Sequence, residues 1–206
     1  MNALAVIMER QGDFVTAKKL LEESLALKRG LDDARAIGVA LQNLAAVCYR
    51  MGDHSDAQIY AEEALRTVET IEDRTTRPMI LDLLARLATL RGSYEAARRM
   101  LVESLTTLAE IDDRPNIANS LETFAYLYGA MDKSRVAAVL LGAVESLRES
   151  ISAPISPTDK KAVDRTIARL HDQMGEASLG QARTTGRLLS LRAAVDLALS
   201  DHPDDM

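Results

Sequence analysis

The residues of this 206-residue chain that could do chemistry are few and scattered. The single cysteine, Cys48, falls on an apolar helical stripe with Leu41, Leu44, Ala45 and Val47, which marks a core thiol rather than a nucleophile. His54, His171 and His202 are far apart, and no His or Cys pair has metal-ligand spacing. Carboxylates are abundant, but none accompanies a motif that would make it a general acid or base. No Gly-rich loop ending in Gly-Lys-Ser/Thr is present to cradle phosphates. No catalytic, cofactor or metal residue is assigned, so the expectation is a protein that is not an enzyme. What remains is a series of polar side chains at helical spacing. Gln42, Ala46, Tyr49 and Arg50 share one face, as do Asp82, Arg86 and Thr89, then Asn119, Glu122 and Tyr126. Asn2, Val6, Glu9 and Arg10 stand in the same register at the start. Tyr and Arg are frequent binding anchors. A solvated face with i,i+4 pairs such as Asp82–Arg86 is the alternative.

The elements that must carry these residues repeat every 40 positions. Gly12, Gly52 and Gly92 lie 40 apart, and the next step reaches Asp132. Leu4, Leu44, Leu84 and Phe124 keep the same register, as do Ala17, Ala57, Ala97 and Ala137. A fixed period of this length indicates stacked supersecondary units, each covering its neighbour's apolar face. Within a unit, an apolar stripe ends at Gly, Asp13 or Asp53 can cap the next helix, and a second stripe follows. Asp132 tolerates the left-handed conformation that Gly supplies elsewhere. Leu31–Asp33, Ile71–Asp73 and Ile111–Asp113 form the connectors, each expected to offer a buried apolar residue and then a capping Asp. The pattern predicts helices near 1–11, 14–29, 34–51, 54–71, 76–91, 94–111, 115–131 and 134–151.

The register stops after Ser150. Pro154 and Pro157 break the chain, and helices are expected near 159–174, 176–185 and beyond Ser190, with stripes at Ile167, Leu170, Met174 and at Leu191, Val195, Leu199. The division predicted is 1–151 for four hairpins, 152–200 for a helical cap over the last apolar face, and 201–206 for a polar tail. Hydrophobic residues make up 47% and aromatics 3%, a mix suited to Leu/Ala-packed helices. The net charge of −6, without a basic half, argues against direct nucleic-acid binding. No 18-residue apolar run or leader-like start occurs, and one cysteine excludes an internal disulfide, so a cytoplasmic location is expected.

Leu41, Leu44–Ala45, Gly52, His54 and Ala57 resemble the tetratricopeptide repeat, as do Leu81, Leu84–Ala85, Gly92, Tyr94 and Ala97, and Leu4–Ala5, Gly12, Phe14 and Ala17. His54 takes the place of the family's aromatic turn residue and is expected to pack there. The resemblance implies an all-α fold, an α-α superhelix of four helical hairpins with a C-terminal helical cap. It also implies a protein or peptide partner on the concave face, which nominates Gln42, Tyr49, Arg50, Asp82, Arg86, Asn119, Glu122 and Tyr126. A run from Ala137 to Arg148, with Ala153–Pro154, Met174–Gly175–Glu176 and Gly186 to Leu191, resembles the C-terminal end of bacterial LuxR-family activators and signal-transduction ATPases. That resemblance implies a part of a transcriptional or signalling regulator, with small-molecule effector sensing as the alternative. Met1 occupies the register of Leu41, Leu81 and Leu121, so the first hairpin is expected to be clipped, with self-association through Leu4, Ile7 and Met8. Glu22, Glu23, Glu62, Glu63 and Glu103 are expected on a solvated outer face.

Overall fold

Glycine or aspartate at one backbone position closes each hairpin of the repeat. In a computed structural model that describes residues 2–31 and 33–200, Gly12, Gly52 and Gly92 have φ of 83°, 83° and 76°, and Asp132 has φ of 60°. Only a residue that tolerates this left-handed region can turn the chain there. The helix that follows starts on a side-chain cap at Asp13 and Asp53, whose carboxylates accept from Thr16 N and Asp56 N. Ser93 and Lys133 occupy the same point without a side-chain cap bond.

The helices so delimited are α1 (Asn2–Arg10), α2 (Phe14–Arg29), α3 (Ala34–Met51), α4 (His54–Glu69), α5 (Thr76–Leu90), α6 (Tyr94–Glu110), α7 (Arg114–Ala130) and α8 (Ser134–Ser150). They are followed by α9 (Pro157–Met174), α10 (Glu176–Arg187) and α11 (Leu191–Leu199). Among the described residues there is no strand. The fold is all-α and tetratricopeptide-like, with helices packed in consecutive pairs. The cap helices run slightly longer than expected: Ser156 caps α9 with Pro157 in its first turn, and α10 continues to Arg187.

The chain forms two compact units, Met1–Leu87 and Ala88–Met206. In the first, α1 packs on α2, α2 on α3, and α3 on α4. Leu41, Leu44, Ala45, Val47 and Cys48 are fully buried, and Ala57 and Leu87 close over Cys48. The recurring small residue is explained by contact, since Ala17, Ala57 and Ala97 are each completely covered. In the second unit, α6 packs on α7, α7 on α8, and α8 on α10. The α8–α10 crossing has no room for side chains. A Cβ at Gly142 would stand 2.0 Å from the Arg183 carbonyl oxygen, and one at Gly186 1.9 Å from that of Val139. Arg183 to Glu145 and Arg187 to Glu149 (2.7 Å) tie the same pair together.

Two expectations are corrected. The connector residues are not buried: Leu31 is 78% exposed, Ile71 36% and Ile111 38%. The turn is held by its backbone instead, with Asp73 N donating to the Val68 carbonyl (3.2 Å) and Asp113 N to that of Leu108 (3.1 Å). Glu72 and Asp112 take the left-handed conformation there, and so does Ser152 (φ 53°), with Ala153 N bonded to the Arg148 carbonyl. The backbone register therefore runs through Ala153, beyond the expected stop after Ser150. Leu4 lies on the exposed edge expected of the first hairpin. It is 48% exposed although its register partners Leu44, Leu84 and Phe124 are buried. Met1, the tail 201–206, and the side chains of Asn2 and Arg10 lie outside the described residues.

Candidate functional site

The nominated polar residues divide between the two units. Gln42, Tyr49 and Arg50 on α3, with Asp82 and Arg86 on α5, belong to the first. Asn119, Glu122 and Tyr126 on α7 belong to the second. Because α3, α5 and α7 are the first helices of their hairpins, the same helical face recurs 40 residues apart. Gln42, Asp82 and Glu122 share one register position, and Ala46, Arg86 and Tyr126 the next.

In the first unit the face carries two ion pairs. Arg50 reaches back to Glu9 on α1 in an ion pair, with both side chains half-buried. Asp82 and Arg86 pair across one turn of α5 at 3.3 Å, with side chains 12% and 15% exposed. Gln42 and Tyr49 are half-buried. The Tyr49 ring packs against His54 at the hairpin turn, 5.4 Å between centroids and tilted 48°, so His54 packs as its place in the pattern predicted. These arrangements leave charged and aromatic edges within reach of a partner's backbone while the stems are held by packing.

The second unit gathers its residues into one network. Glu122 is only 2% exposed, and its carboxylate accepts from the Tyr126 hydroxyl (2.8 Å) and from Arg148 Nη2 (3.2 Å). The same guanidinium nitrogen donates to Asn119 Oδ1 at 2.8 Å. Arg148 lies at the end of α8 and did not emerge from the sequence. Its register partners Val68 and Leu108 are buried apolar residues and Lys28 is basic, so the position alternates between apolar and basic along the repeat. A buried carboxylate is tolerable only with such compensation.

The other chemistry-bearing groups are structural. Burial pushes the Cys48 thiol up to about 11, only partly countered by nearby Lys18, so at neutral pH it is an un-ionised core thiol. Lys18 is held charged first by its 2.7 Å bond to Asp56, and Asp56 is lowered by the same bond. Burial would raise Asp73, but hydrogen bonds from the hydroxyls and backbone N–H groups of Thr75 and Thr76 outweigh it and bring the carboxyl to about 2. Glu22, Glu23, Glu62 and Glu103 are exposed as expected, and Glu63 is half-buried in an ion pair with Arg29. Among the described residues there is no cluster of metal-ligating side chains.

Hairpins closed by a left-handed residue and packed through a small residue on the second helix are tetratricopeptide-like. Residues 1–70 match the tetratricopeptide repeat. No curated protein matches the chain. Tetratricopeptide repeats generally mediate protein–protein interaction, and their all-α fold is typically a non-catalytic scaffold. No described helix is long and apolar enough to cross a membrane.

Proposed function

We propose that the chain is a non-enzymatic interaction module that binds a peptide or partner domain through the polar faces of its first helices, α3 and α5 in the first unit and α7 in the second. The observation that carries this reading is the contrast between recurring and varying positions. Recurring positions are turn, cap or core. The varying ones on the first helices, Gln42, Asp82, Glu122, Arg86 and Tyr126, are half-buried or buried polar groups held by packing. Discrimination between partners belongs to positions that differ from unit to unit. The resemblance of residues 137–191 to the end of bacterial regulators supports a place in a cytoplasmic transcriptional or signalling regulator. In that reading 1–151 is the binding array and 152–200 its cap. Leu4, Val6 and Ile7, exposed at 48%, 38% and 49%, support self-association at the first hairpin.

The test is panning of a random peptide library on the full chain. Peptides so enriched lose binding to the variant Tyr49→Ala, Arg50→Ala, Arg86→Ala, Tyr126→Ala while its helical circular dichroism is kept. Unchanged binding defeats the assignment of the face. A cavity of about 420 Å³ beside α11 favours effector sensing as the second reading. A metabolite that raises the melting temperature in proportion to its concentration would move the balance that way.

A further inference from the structure

The helix α11 lies in a groove formed by α6, α7 and α8. It buries Ala194, Val195, Leu197 and Ala198 there. Its last carbonyls, which a helix end leaves without partners, are taken up by the groove. Arg98 on α6 donates to the carbonyl oxygens of Leu199 (3.1 Å) and Ser200 (2.8 Å), and the Tyr128 hydroxyl on α7 donates to that of Ala198 (2.9 Å).

The repeat supplies its own control. Two periods earlier, α2, α3 and α4 form the corresponding groove. There Lys18 stands where Arg98 stands, and it pairs with Asp56 at 2.7 Å and Asp53 at 3.8 Å. Arg29 and Glu63 bridge the same groove by an ion pair. In the second unit Asp56 becomes Val136, Arg29 becomes Ala109 and Glu63 becomes Ala143. Asp53 becomes Lys133, so no carboxylate of the first groove is kept at these positions in the second, and Arg98 bonds helix carbonyls there. The second groove is thus built to receive a helix.

Its present occupant leaves part of the groove open. Cavities of about 160 and 420 Å³ flank α11, lined by Ala143 and Leu147 on one side and by Ala109 and Ile117 on the other. The helix before it cannot follow it out, since α10 is locked on α8 by the Gly142–Gly186 crossing. Between them lie only Leu188, Leu189 and Ser190, with Leu188 82% exposed. We propose that the α6–α7–α8 groove is an exchangeable helix-binding site whose second occupant is α11 of another copy of this chain. Contacts made within one chain are the same contacts between two, so exchange costs the freedom lost on association and a change in a three-residue hinge.

The test is complementation between two full-length variants. Val195→Asp with Leu197→Asp spoils the latch and leaves the groove. Arg98→Glu with Tyr128→Phe spoils the groove and leaves the latch. Each alone is expected to lack the exchanged dimer, and their 1:1 mixture to show a species of twice the chain mass by light scattering. Association through Leu4, Val6 and Ile7 would appear equally in each variant alone, so only the increment in the mixture counts. A mixture no heavier than its components, with both helical by circular dichroism, overturns the proposal. If either variant fails to fold, the wild-type chain is concentrated, warmed briefly below its melting point and diluted. A dimer that persists and is absent in Leu197→Asp supports exchange, and monomer alone overturns it.

Discussion

Asp82–Arg86 on α5 and Glu122–Tyr126 on α7 occupy the same two register positions one repeat apart, each as an i,i+4 pair. The first is an ion pair whose two side chains keep partial contact with solvent. In the second, Glu122 has lost that contact while Tyr126 keeps it, and Arg148 from the neighbouring helix enters to hold both Glu122 and Asn119. The repeat thus keeps the place of a polar residue while changing what it is coupled to. A solvated pair can exchange partners at small cost, whereas a buried network fixes the geometry of its helix pair. The polar face of the first unit is therefore the more adaptable, and that of the second the more rigid.

The strongest challenge to that contrast is to remove the arginine from each. Arg148→Ala leaves the Glu122 carboxylate buried without its charge partner and should cost about 3–5 kcal/mol in urea unfolding. Arg86→Ala should cost less, about 1–3 kcal/mol, because the Asp82 side chain keeps 12% exposure against 2% for Glu122. Equal losses would erase the distinction.

A second, smaller effect belongs to the first unit alone. Asp73 is 1% exposed, and its carboxyl is held at about 2 against an ordinary value of 3.8. A lowered carboxyl stabilises the folded state above the unfolded pKa, and that contribution fades as pH falls towards the folded one. Wild-type stability should thus lose roughly 2 kcal/mol between about pH 4 and pH 2 from this group. In Asp73→Asn that part of the profile should be flat, and an unchanged slope would reassign the acid sensitivity. Smallest is the turn. Gly52→Ala must hold φ near 83° and should cost about 1 kcal/mol by thermal unfolding, with α3 and α4 still formed. No loss would mean that the hairpin turn does not need its left-handed residue.

Much of the fold was legible because the repeat makes each local signal appear several times. Gly12, Gly52 and Gly92 mark helix ends by a property of the backbone alone, and the buried stripe around Cys48 follows from spacing. The connectors misled because apolar Leu31, Ile71 and Ile111 look like core, whereas their turn is set by backbone bonds and the side chains point outward. The candidate site was legible as a set of positions but not as a set of contacts. Which partner Glu122 takes depends on Arg148, which is remote in sequence and occupies a place filled by Lys28, Val68 and Leu108 elsewhere. The docking of α11 was hidden for a similar reason. Its bonds join its own carbonyls to Arg98 and Tyr128, and carbonyls leave no trace in residue type.

The claim that the first helices carry the binding face is tested most directly by radical footprinting of tyrosines with a panned peptide bound. Tyr49 and Tyr126 are half-buried on first helices, and Tyr60 and Tyr94 are half-buried on second helices, so the four are matched probes. Binding should slow oxidation of Tyr49 and Tyr126 and leave Tyr60 and Tyr94 unchanged. Protection of Tyr60 and Tyr94 with Tyr49 and Tyr126 unaffected would contradict the account.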